Sequence, residues 1–120
     1  STLASIAAQI LTARADAGEP GAAALAIAWA DRAIAAAPSD VAARIARAVA
    51  TRADGDLAGS VAQLEQLRAE YPANPDIALQ LGLSQYADGQ EEAAADNLRF
   101  VLDVWPEEAA AIEVLGRIEG

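Results

Sequence analysis

Proline returns at a fixed interval: Pro38, Pro72 and Pro106 stand 34 residues apart, and so do Gly21, Gly55 and Gly89. A third column of small residues, Ala26, Ser60 and Ala94, keeps the same spacing, and Leu81-Gly82 recurs as Leu115-Gly116. Independent columns sharing one period mark a chain built from copies of one supersecondary unit. Each copy is too small to bury its own apolar face and must stack on its neighbours.

Between these markers the apolar residues follow a helical period, as at Leu57, Val61, Leu64 and Leu67, or Ala94, Leu98, Val101 and Leu102. Each unit is therefore a pair of helices. Glycine ends the first helix in a left-handed cap, at Asp54-Gly55 and Asp88-Gly89, and proline falls just past the second, which it cannot continue. Asn74-Pro75-Asp76 restarts a helix: Asn74 caps it, Pro75 fits the first turn, and Asp76 complements the helix dipole. The pattern predicts helices over 3–17, 21–37, 40–53, 57–70, 75–88, 90–104 and 107–119. They group into repeats at about 7–40, 41–74 and 75–108, with a capping helix at 109–120, in a single all-α domain.

Composition removes most chemistry. Cys, Met, His and Lys are all absent, so no disulfide, thiolate or imidazole metal site can form, and the usual bases and nucleophiles are missing. Asp54-Gly55-Asp56 is a cap and turn, far shorter than a calcium loop of about 12 residues. The acid pairs Glu91-Glu92 and Glu107-Glu108 fall in first turns, where the helix dipole accounts for them. The expectation is a chain that is not an enzyme and takes no cofactor or metal.

The net charge of −10 opposes nucleic acid and anionic membranes, whose phosphates demand Lys or Arg. Residues 1–60 carry six acids and five arginines, whereas residues 61–120 carry twelve acids and three arginines. The acidic field of the second half suits a basic partner. The longest apolar run, Ala22 to Ala30, is too short to cross a bilayer, for which roughly 20 residues are needed, and nothing resembles a signal peptide. A soluble protein is expected. The alanine-rich, arginine-only composition points to a GC-rich bacterial genome, with cytoplasm and periplasm both open, and the missing initiator Met to a processed protein or a fragment.

The columns resemble the tetratricopeptide repeat (TPR) family, which pairs Leu-Gly or a small residue in the first helix with a turn Gly, an Ala in the second helix and a closing Pro. Leu81, Gly82, Gly89, Ala94 and Pro106 carry the likeness best. The resemblance implies a right-handed superhelix of antiparallel helix pairs, an α-solenoid whose first helices line a concave groove for a peptide or helix of a partner protein. By position that groove would be lined by Leu11, Ile45, Val49, Arg52, Asp76, Leu79, Gln80, Leu83, Tyr86 and Val114, unless some of these pack into the core instead. The cations and amides with which one branch of the family grips chaperone C-terminal carboxylates are missing. Leu11, Ala15, Ala46, Asp76 and Gln80 stand in their places.

Two departures from the pattern carry information. Asp40, Arg44, Arg47, Thr51 and Asp54 form a polar stripe in which the family would bury 44, 47 and 51. An unpaired arginine cannot be buried cheaply, so the helix is either turned by one residue onto Val41, Ile45, Ala48 and Val49, or the arginines reach solvent or carboxylates. Leu25 and Trp29 replace small or polar residues of the other repeats, and two readings stand: a dimer or partner patch, or contact with the N-terminal helix. Tyr71 and Trp105 are expected to plug the junctions between repeats. The function expected is a protein-interaction scaffold in a bacterial assembly or biogenesis complex. The alternatives are a self-assembling module, giving a homo-oligomer, and an accessory domain of a larger enzyme.

Overall fold

The computed structural model describes residues 2–120. Its seven helices are α1 (Thr2–Asp16), α2 (Ala22–Ala36), α3 (Val41–Ala53), α4 (Leu57–Glu70), α5 (Pro75–Ala87), α6 (Glu91–Val104) and α7 (Ala109–Glu119). The expected helices differ from these by no more than two residues at either end. No strand occurs among the described residues. The chain divides into two compact units, one ending at Ser60 and one running from Val61 to Gly120.

Local chemistry explains the helix ends. Asn74 accepts from the Asp76 and Ile77 N–H groups at 2.9 and 3.3 Å, with Pro75 in the first turn of α5. Asp40 caps α3 by accepting from Ala43 N at 3.3 Å, and Asp56 accepts from Gly59 N at 2.8 Å at the head of α4. Gly55 and Gly89 take the left-handed conformation, with φ of 92° and 82°. Their N–H groups, and those of the residues that follow, return to the last turn of α3 and α5.

The turn after α1 departs from this plan. Gly18, not Gly21, closes the helix: Gly18 N donates to Ala15 O and Glu19 N to Arg14 O, repeating the bonds made at Gly55 and Gly89. Gly21 is a second left-handed residue, φ 78°, immediately before α2. Whereas Val41, Pro75 and Ala109 open α3, α5 and α7 at intervals of 34, α1 opens at Thr2, which is 39 residues before Val41.

In the N-terminal unit the core is almost entirely alanine. Ala4 packs with Ala33 and Ala43, and Ala8 with Ala30 and Ala46, so α1 and α2 run antiparallel with α3 against both. Trp29 lies half-buried against both clusters, with the Arg32 guanidinium 4.8 Å from its ring centre. Ser60 closes the unit by donating its hydroxyl to Ala48 O at 2.8 Å. Of the readings for the polar stripe, pairing holds for Arg47, whose Nε meets Asp31 Oδ1 on α2 at 2.6 Å. The buried residues of α3 include Ala43, Ala46 and Ala50, while Val41, Ile45 and Val49 stay half-buried.

The C-terminal unit has larger side chains at its centre. Ala78 and Leu79 of α5, Leu98 and Val101 of α6, and Ala111 of α7 form one buried cluster. A Cβ at Gly82 would stand 2.9 Å from Leu98 Cδ2, so the helices cross where glycine alone leaves room. Arg68 spans the unit's edge: it stacks 4.5 Å over Phe100, donates to Asn97 Oδ1 at 3.2 Å and donates to the Pro72 carbonyl. Asn97 in turn donates to the buried Gln85 Oε1 at 2.8 Å. Trp105 does not act as the expected plug; it is 39% exposed at the end of α6, where the chain leaves the helix before any neighbour covers the indole.

Two substitutions test this packing. Gly82→Ala forces its Cβ against the fully buried Leu98 and is expected to lower unfolding free energy by about 1–3 kcal/mol. Ser5→Ala is expected to raise it by about 1 kcal/mol, because the Ser5 hydroxyl is buried with no hydrogen-bond partner. Urea denaturation midpoints at constant slope measure both.

Candidate functional site

The expected lining residues are set by two geometries. On α3, Ile45, Val49 and Arg52 are half-buried along one face. Arg52 sits in the last turn, where its charge complements the helix dipole. Burial pulls its pKa down while the nearby Asp16 carboxylate, at the end of α1, pushes it back up. On α5, Asp76, Gln80, Leu83 and Tyr86 are half-buried, and Gln80 Nε2 donates to Asp76 Oδ1 at 3.5 Å. Leu83 and Val114 of α7 both rest on the buried cluster around Leu98.

Leu79 does not line an open surface. At 7% exposure it is part of the C-terminal core, in contact with the cluster that includes Ala111. Sequence spacing alone could not separate these roles, because Leu79 and Leu83 lie one turn apart on the same stripe, and only the position of α7 decides which is covered.

The first helix requires a correction. Its buried positions, Ala4, Ser5, Ala8 and Thr12, match Ile77, Ala78, Leu81 and Gln85 of α5, all buried, under an offset of 73 rather than the 68 of two exact periods. Contacts agree: Ala8 clusters with Ala30, and Gly82 lies against Leu98, two periods beyond Ala30. With that offset, Ile6 and Ile10 of α1 share the phase of Ile45 and Val49 on α3 and of Leu79 and Leu83 on α5. Leu11 is half-buried on a different phase, one that α3 and α5 turn inward at Ala50 and Ser84.

The residues that take its place, Leu3, Ile6 and Ile10, are 76%, 46% and 51% exposed. A signal for them was present in Gly18-Glu19-Pro20-Gly21, which offers two turn glycines where the other turns have one. Arg14 is a second signal, since its column otherwise holds Ala48, Gly82 and Gly116, and Gly82 stands at a crossing with no space for arginine.

Leu25 and Trp29 separate. Trp29 packs on α1 and α3, the bland alternative, whereas Leu25 remains 55% exposed on α2. The acidic C-terminal half concentrates charge beside the α5–α6 turn, where an open depression is lined by Gly89, Gln90, Glu91, Glu92 and Asp96. No helix among the described residues is long and apolar enough to cross a membrane. No protein-family model matches the chain, and no curated protein does.

The contrast between core and surface on one stripe is measurable. Leu79→Ala is expected to cost about 2–5 kcal/mol of stability, and Leu83→Ala clearly less, by chemical denaturation of each variant.

Proposed function

We propose that the chain is a non-catalytic protein-interaction scaffold of the tetratricopeptide kind, a right-handed α-solenoid holding an apolar segment of a partner against the first helices of its pairs. The observation that carries this reading is the recurrence of one face. Ile45 and Val49 on α3, and Leu83 and Tyr86 on α5, occupy the same helical phase and keep part of their apolar surface open. Residues at such a phase, rimmed by polar groups such as Arg52, Asp76 and Gln80, suit an extended peptide or an amphipathic helix with apolar anchors spaced at three and four residues.

Four anchors of Leu or Ile size contribute roughly 6–12 kcal/mol of burial, set against association costs of about 4–15 kcal/mol. Moderate affinity follows. The twelve acids of residues 61–120 would steer a partner carrying Lys or Arg and raise its on-rate, an effect that fades as salt screens it. The role fits a bacterial assembly or biogenesis complex, in cytoplasm or periplasm.

Selection of peptides from a random display library on the intact chain tests the reading. Binders are expected to share apolar residues at three- and four-residue spacing and to lose at least about tenfold in affinity to an Ile45→Glu, Leu83→Glu double variant that remains helical by circular dichroism, the equivalent of about 1.4 kcal/mol. Binders that hold that variant as tightly as the native chain would overturn it.

A further inference from the structure

We propose that the Leu3, Ile6 and Ile10 face of α1 docks against the same face of a second copy, giving a weak two-fold dimer. With Ala13 these residues follow a 3-4-3 spacing, the a and d positions of a coiled-coil seam, and all four are exposed. The opposite side of the helix, at Ala4, Ser5, Ala8 and Thr12, is already committed to the N-terminal unit. α1 therefore presents a narrow apolar seam on a helix held from behind. A seam of this kind is complemented by a helix with the same spacing, and a two-fold axis supplies one from the chain itself.

Charge selects a second copy as the occupant. Each chain carries a net −10, so most of its surface repels its twin. Thr2 to Ala13 contains no charged residue at all. The exposed apolar residues of the C-terminal unit have acidic neighbours instead: Val104 and Trp105 lie between Asp103 and Glu107, and Ile112 is followed by Glu113. A basic partner steered by those acids would gain nothing at the neutral seam.

The area limits the strength. A 15-residue helix is about 22 Å long, and one narrow seam of that length falls short of the roughly 800 Å² per partner of a standard stable interface. The dimer is therefore reversible and dissociates on dilution. Because repulsion between the bodies opposes it, salt must strengthen it, the opposite of the behaviour expected for a steered basic partner.

Sedimentation equilibrium across a concentration series, from about 10 μM to 1 mM, tests the proposal in the range where such reversible pairs form. The mass is expected to rise from the 12.3 kDa of one chain toward twice that value. Raising salt from about 0.1 to 1 M, which shortens the Debye length from about 10 to 3 Å, is expected to shift the midpoint to lower concentration. Ile6→Glu with Ile10→Glu is expected to weaken the dimer at least about tenfold, while Leu25→Glu leaves it unchanged. Should the Glu pair disturb α1, Ile6→Ala with Ile10→Ala removes the seam while keeping strong helix formers. A native chain that stays monomeric throughout, or an Ala pair that dimerises like the native chain, overturns the proposal. Neither result bears on peptide binding through α3 and α5, which has its own variants.

Discussion

Where α5 crosses α6, Gly82 leaves a hydrogen in a place where any other residue would press on Leu98, and the closeness of that crossing sets what the rest of the C-terminal unit can do. With the two backbones near each other, Ala78 and Ala94 are fully buried, and Leu98, Val101 and Ala111 close around them. The N-terminal unit reaches close contact by another route, placing alanine on all three helices. Alanine removes little apolar area from water, so fit rather than hydrophobic bulk holds α1, α2 and α3 together, with Trp29 supplying most of the mass.

Small interiors leave the edges to polar side chains. Arg47 reaches back to Asp31 instead of filling the position its column would give it, and Arg68 closes the edge between α4 and α6 by lying on Phe100 and bonding to Asn97. Both pairings are partly solvated and contribute modestly to stability. Their stronger effect is directional, since a planar guanidinium held by an aromatic face and a fixed acceptor has few orientations left. The faces assigned to recognition lie away from these contacts.

Much of this was legible in the residues. The caps at Asn74 and Asp40, the left-handed Gly55 and Gly89, and the helical period fixed the elements because each depends on neighbours in sequence. Burial depended on neighbours in space. Leu79 and Leu83 read identically along the chain and differ only because α7 comes to rest over one of them. The first helix misled for a sharper reason: Gly18 and Gly21 both satisfy the turn, and carrying the 34-residue interval back to the wrong one turns α1 onto the wrong face. Leu11 was selected by that interval, while Leu3, Ile6 and Ile10 were passed over.

Trp29 touches α1 and α3 from its seat on α2, beneath the Arg32 guanidinium, while the chain's other indole, Trp105, stands at the surface on the far side of the sequence. The two fluorophores thus occupy environments of different polarity, one in each unit. The blue part of the emission belongs to the alanine-packed assembly, so the order in which the two halves lose structure is written into the native spectrum without any label.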